Sequence, residues 1–382
     1  MGYWQFRRIE SELSLPSDAA TQKVELPVSN VLSGLYVTLL WKNGATGGGG
    51  EDIIDAVDKI EVIRDGSEVL YSLTGIEAAK VGHFMSGKPI PHYRNDNGGV
   101  TQWATFPIYF GRYFRDPEYW LNCAAATSLD LKVTYSPTID ATKFATGQGV
   151  LEVDGWMYME GAPGDYRGTL KTHRVKQFTT AASGDKSVEL VAKYPLYRCY
   201  IYAFESGTAE GSPISKVSFE LNNGERVIRK GRWVDLQRVN TVELGLKTAL
   251  GGVALRADDD TIETRCGRIN SIHLAVEEDL GATDDRTLVY PASISGGKVT
   301  LSMVVVEGSG TWAAGTLQTS AKPVHWYADG GIVGNTVCFP FDILLGMDNL
   351  LNTGEFDKVE LILTQANADA EVDVLVQEVL PR

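Results

Sequence analysis

The chain repeats itself, and that repeat constrains its fold more than any single motif. In the first half KIEVIRDGSEVLYSL, from Lys59 to Leu73, reads as a strand, an Asp65-Gly66 turn and a strand. In the second half KVSFELNNGERVIRKGRW, from Lys216 to Trp233, repeats the design around Asn223-Gly224. Asp-Gly and Asn-Gly supply the positive φ angles that tight hairpin turns need. A second pair follows in the same order: ATFPIYFGRYFRDPEYWLNCAAATSLDLKVTY from Ala104 and VCFPFDILLGMDNLLNTGEFDKVELILTQ from Val337. Each contains a Phe-Pro step, an apolar stretch with a glycine, a short predicted helix and a strictly alternating strand. Asp116 is the predicted N-cap of the first helix, running to Ala126, with Pro117 at its first position; the second is predicted over Phe341 to Leu351. Similar elements in the same order predict two copies of one β domain.

The copies differ in length. Gly66 to Phe106 spans 40 residues and Gly224 to Phe339 spans 115, which places an insertion of about 75 residues within about 245–335 of the second copy, the matched landmarks being otherwise alike. That interval has its own strand signals, SIHLAV and KVTLSMVVV, and inserted strands of this kind project from the loop end of a sandwich. The boundary between copies falls between Asp140 and Asp165, giving units of 1–160 and 161–382. Glycine supports the all-β reading: 40 of 382 residues is well above the usual ~7%, and most sit between short alternating runs.

Thirty-five Lys and Arg against 49 Asp and Glu leave a net charge of −14. An acidic chain does not neutralise phosphate, so direct nucleic-acid binding is not expected. MGYWQFRRIE lacks the apolar core of a signal peptide, and no run reaches the ~18–20 apolar residues of a membrane span; a chain made and kept soluble in a cytoplasm is the expectation. Cys123, Cys199, Cys266 and Cys338 form no CxxC pair and are expected to be buried free thiols.

No catalytic constellation is legible. His83, His92, His173, His273 and His325 stand singly, without metal-ligand spacing. The acidic runs around Asp258 to Asp260 and Glu277 to Asp279 match no calcium loop and read as solvated surface. GATGGGGED, from Gly44 to Asp52, lacks the Lys-Ser/Thr of a phosphate loop and reads as a strand connection. Paired carboxylates for glycoside hydrolysis leave no spacing signature, and that possibility stays open in this unspecific form. The aromatics Tyr109, Phe110, Tyr113, Phe114, Tyr119 and Trp120 read as packing rather than a sugar platform. Trp4, Phe6, Arg7 and Arg8 precede the first expected strand and form an aromatic-basic arm suited to a membrane interface or a neighbouring subunit.

Two consecutive copies, each with an early DG or NG hairpin and a Phe-Pro step leading into an alternating strand (ATFPIYFGRYF…SLDLKVTY and VCFPFDILLGM…DKVELILT), resemble the double jelly-roll major capsid proteins of tailless icosahedral viruses. The resemblance covers nearly the whole chain and is one of organisation. It implies two eight-stranded jelly-roll sandwiches with short helices in their connections, no enzymatic activity, no cofactor and no metal. It further implies homotrimers that act as pseudo-hexagonal capsomers of a virion shell, contacts with minor capsid or vertex proteins, a tower built by the insertion, and an internal membrane faced by Trp4, Phe6, Arg7 and Arg8. The alternative is a carbohydrate-active or carbohydrate-binding protein on paired jelly rolls, with a cleft and an exposed tryptophan.

Overall fold

The computed structural model describes residues 2–381 apart from 17, 47–51, 96, 205–212, 256–260, 264–265, 277–285, 296–297, 307–322, 334 and 346–349; between 248 and 333 the only side chains described are those of His273, His325, Trp326 and Tyr327. The first sandwich contains β1 (Tyr3–Leu15), β2 (Ala20–Glu25), β3 (Val31–Asn43), β4 (Val57–Arg64), β5 (Glu68–Leu73), helix α1 (Gly75–Ser86), β6 (Thr101–Tyr109), β7 (Leu129–Tyr135) and β8 (Phe144–Met159). The second contains β9 (Thr169–Thr179), β10 (Gly184–Glu189), β11 (Leu196–Ala203), β12 (Ile214–Leu221), β13 (Arg226–Arg232), α2 (Trp233–Glu243), β14 (Thr336–Pro340), β15 (Val359–Gln365) and β16 (Glu371–Leu380).

Strand order makes the duplication explicit. The first sandwich stacks β1-β8-β3-β6 on β2-β7-β4-β5; the second stacks β9-β16-β11-β14 on β10-β15-β12-β13. This is the jelly-roll order twice over. Even the bulges recur: β1 slips against β8 between Arg8 and Glu10, and β9 slips against β16 between Arg174 and Lys176. β5 and β9 pair in parallel through Tyr71 with Thr172 and Ser72 with His173. That pairing joins one sheet of each sandwich into a single eight-stranded sheet and points both sandwiches the same way.

Alternation sets the cores. In β7, LDLKVTY, Leu129, Leu131, Val133 and Tyr135 are buried and the residues between them are half-exposed, the pattern of a sheet with one face on the core. Trp41 packs on Tyr135 at 5.6 Å between ring centres in the first core, and Phe219 on Phe339 at 5.3 Å in the second. β11 departs from alternation: all eight residues of LYRCYIYA are buried, as are all five of β14. These strands are covered on both faces.

Several expectations are corrected. Asp116 caps no α-helix; its carboxylate instead accepts from Arg112 Nε at 2.8 Å, Arg112 Nη2 at 3.0 Å and the Glu118 amide at 3.0 Å, closing a tight turn. Only a single 3-10 turn, Cys123–Ala125, follows. The second predicted helix is limited to Phe341–Leu344, and residues 346–349 lie outside the described residues. The Phe-Pro steps fall in matching strands but two residues out of step, since Pro107 pairs with Tyr36 whereas Cys338, not Pro340, pairs with the equivalent Tyr200. An even offset keeps Phe106 and Phe339 on their core faces. Helices α1 and α2, which follow the two hairpins, are not foreseen at all.

Between α2 and β14 the chain forms Thr248–Leu255, Thr261–Glu263, Cys266–Val276, Arg286–Ser295, Lys298–Val306 and Pro323–Val333, arranged as two three-stranded sheets. The acidic runs at Asp258 to Asp260 and Glu277 to Asp279 lie outside the described residues, as do residues 47–51 of the glycine-rich stretch.

Candidate assembly surface

Among the described residues no three His, Cys, Asp or Glu side chains come together as a metal site. Cys123, Cys199 and Cys338 are free and buried, and burial pushes the thiols of Cys123 and Cys338 up to about 12. A cavity of about 480 Å³ is lined by Asn30, Asn122, Asp165, Trp120 and Tyr166. It makes a poor sugar site, because Trp120 is only 2% exposed and its ring is packed against Tyr166 at 4.9 Å. The other aromatics of that stretch are mostly inward: Phe110 is fully buried and Tyr109 packs on Phe114 at 4.3 Å, while Tyr113 is exposed.

The seam between the sandwiches is where chemistry concentrates. α1 starts with a capping box, in which Thr74 accepts from the Glu77 amide and Glu77 accepts from the Thr74 amide; such a reciprocal cap fixes the first turn. Small residues let the helix lie close to its own sandwich: a Cβ on Gly82 would stand 2.8 Å from Pro107. Its other face covers the sheet β9-β16-β11. Glu77 Oε1 is 3.5 Å from Arg174 Nη1, Lys80 lies over the Tyr202 ring, Phe84 meets Tyr200 edge-on at 5.5 Å, and Arg198 donates to the Phe84 carbonyl at 3.1 Å. Arg174 is also 3.2 Å from Asp373. Burial pushes the Asp373 carboxyl up to about 7, with the Glu77 charge adding to the shift and Arg174 opposing it. Glu77 is likewise raised by burial, and burial lowers His173 to about 4. This cover explains why β11 is buried on both faces.

Each partner in the seam has a twin that lacks such cover among the described residues. Trp4, Phe6, Arg7 and Arg8 do not precede the first strand; they are part of β1, the edge of its sheet, paired antiparallel with β8. Phe6 is 50% exposed and packs on Trp156 at 5.2 Å and Tyr36 at 6.0 Å. Trp4 meets Tyr158 at 5.2 Å. Arg8 donates to Asp154 at 2.7 Å and lies 3.5 Å from Glu152. The result is an aromatic outer sheet face with an ion pair at its edge. α2 buries only Trp233, Leu236 and Asn240, leaving Val234, Val239 and Val242 exposed, the last at 82%. An edge strand without alternation hides such a surface from sequence reading; the helix was hidden because its hairpin neighbour, not its own pattern, positions it.

No protein-family model matches the chain, and no curated protein does. Solved structures do. The STIV MCP matches with a TM-score of 0.60 at 12% identity, over 99% of this chain and 97% of that one. A quasi-atomic PBCV-1 virus capsid matches at 0.57 with 8% identity, over 99% and 93%. The major capsid protein of bacteriophage PM2 matches at 0.51 with 12% identity, over 100% and 99%. The chain has the double jelly-roll fold of these capsid proteins.

Proposed function

We propose that this chain is the major capsid protein of an icosahedral virus, a non-enzymatic building block that trimerises into pseudo-hexagonal capsomers. The observation that carries this reading is the seam: two sandwiches of one topology stand side by side, pointing the same way, each with a helix after its fifth strand. A unit that already joins two like sandwiches needs only three copies to set six in a ring, and a head-to-tail interface closes when its rotation matches. The fold likeness over nearly the full length of both chains supports it.

The units are taken as 1–160 and 161–382. Their polarity suggests an orientation for the capsomer. Tyr3 pairs with Met159 at one end of the first sandwich, whereas the insertion re-enters at Thr336, which pairs with Tyr202 at the opposite end of the second. With the insertion as an outward tower, Trp4, Phe6, Arg7 and Arg8 lie toward the shell interior, against a neighbouring subunit or an internal membrane. Minor capsid or vertex proteins are the further partners of such a shell. Light scattering with negative-stain imaging tests the reading: a mass about three times 41.6 kDa and six-lobed particles are expected, and a persistent monomer overturns it. Cosedimentation with anionic vesicles, lost in Trp4→Ala and Arg7→Glu, tests the membrane contact.

A further inference from the structure

We infer that α2 of one copy seats on the outer face of β1-β8-β3 of a second copy, taking there the place that α1 takes over β9-β16-β11 within the chain. The inference rests on the capsomer reading above and names the surfaces that make it.

The internal duplication provides the template. Both helices directly follow the hairpin strand, and both turn the same side inward: Gly75, Ala78 and Gly82 of α1 match Trp233, Leu236 and Asn240 of α2, and all six are buried. Position by position, the outer side then matches as well. The third residue is Glu77 in α1 and Asp235 in α2, the sixth is Lys80 and Arg238, and the tenth is Phe84 and Val242. The acid, the base and the apolar residue recur at the same positions. In α1 these groups are buried against the second sandwich; in α2 they are exposed, with Asp235 paired to Arg232 at its own helix start and to Arg238 in the same helix.

The receiving face matches too. Arg8 pairs with Asp154 in the register where Arg174 pairs with Leu375, and Tyr36 pairs with that same Asp154 as Tyr200 does with Leu375. Arg8 is therefore the twin of Arg174, and Tyr36 the twin of Tyr200. Arg8 approaches Glu152 as Arg174 approaches Asp373, and these acids occupy equivalent positions in β8 and β16. The contacts expected between copies follow: Asp235 on Arg8 as Glu77 on Arg174, and Val242 on Tyr36 as Phe84 on Tyr200. Exposed valines on one surface and the half-exposed Phe6 on the other are the apolar area that such a contact removes from water. Strand pairing carries over less well, since Lys230 and Arg7 would stand where Ser72 and His173 pair, and like charges side by side are unfavourable. The contact is helix on sheet.

The test uses the full chain. Val242 is exposed, so Val242→Glu should leave the circular dichroism spectrum unchanged while weakening trimer association about 10-fold or more, since a charge would be buried at the contact. Asp235→Arg should weaken it similarly, and adding Arg8→Glu should recover part of the loss. A wild-type trimer whose association ignores Val242→Glu and Asp235→Arg overturns this surface and leaves the capsomer reading standing. A wild-type chain that remains monomeric at all concentrations overturns both.

Discussion

Glu77, on the first helix of the first sandwich, lies 3.5 Å from Arg174, on the first strand of the second. Both Glu77 and the Asp373 that shares this arginine are 1% exposed, so one guanidinium holds two buried carboxylates, one from each sandwich, at the seam. A lone buried carboxylate is expensive, and two facing each other are worse.

Arg174→Met should therefore destabilise the chain by about 2 kcal/mol at neutral pH, below the ~3–5 kcal/mol of a fully buried broken pair because the arginine is about a third exposed. Urea midpoints at pH 8 and pH 5 check this. The loss should shrink at pH 5, where the carboxylates can take up protons instead of facing each other charged.

Asp373 gives the seam a pH dependence of definite sign. Its folded value is raised to about 7 from 3.8, so the folded chain holds this proton more tightly than the unfolded one. The resulting stability is complete below about pH 4 and is lost as pH rises through about 7. Asp373→Asn cannot ionise, so its melting temperature should gain on wild type as pH is raised from 4.5 to 8. His173 acts in the opposite direction, its folded value being lowered to about 4, which is why the difference between variant and parent is the quantity to measure.

How far the sequence reaches is visible in particular residues. Asp65-Gly66 does turn with both φ angles positive, and strict alternation in LDLKVTY marks its strand, because one face meets the core and the other water. The same logic fails for LYRCYIYA, whose strand is covered on both sides, and for YWQFRRIE, which at a sheet edge is mostly exposed on both. Asp116-Pro117 has the composition of a helix start, yet Arg112 captures the carboxylate first. The seam was illegible because its two halves, Glu77 and Arg174, come from different sandwiches and leave no spacing.

Gly75 tests the fit of α1 to its own sandwich. A Cβ there would stand 2.3 Å from the Ile54 carbonyl oxygen, and a backbone atom cannot swing aside as a side-chain tip can. Gly75→Ala should cost about 1–3 kcal/mol, although alanine is the better helix former. Thermal melting of the purified variant checks it, and an increase in melting temperature would show that the helix has room to shift.

Asn240 is the anchor by which α2 reaches the strand that follows the insertion. It is fully buried, its Nδ2 donates to the Cys338 carbonyl at 2.8 Å, and its Oδ1 accepts from the Cys338 amide at 2.8 Å. β14 is the last strand of its sheet, so among the described residues the outward backbone groups of Cys338 meet no further strand; one amide side chain stands in for it. Asn240→Ala would leave a buried N–H and C=O unpaired, at about 1–3 kcal/mol each, and hydrogen exchange at the Cys338 amide should accelerate accordingly. Asn240→Asp keeps the shape and the acceptor but replaces the donor with an oxygen facing the carbonyl, so it should be no better than alanine at neutral pH. Because Asn240 lies on the inner side of α2, these variants also separate the helix's seating from its outer face: trimer association should fall with Asn240→Ala only as far as the helix is loosened, whereas Val242→Glu should reduce association with Cys338 exchange unchanged.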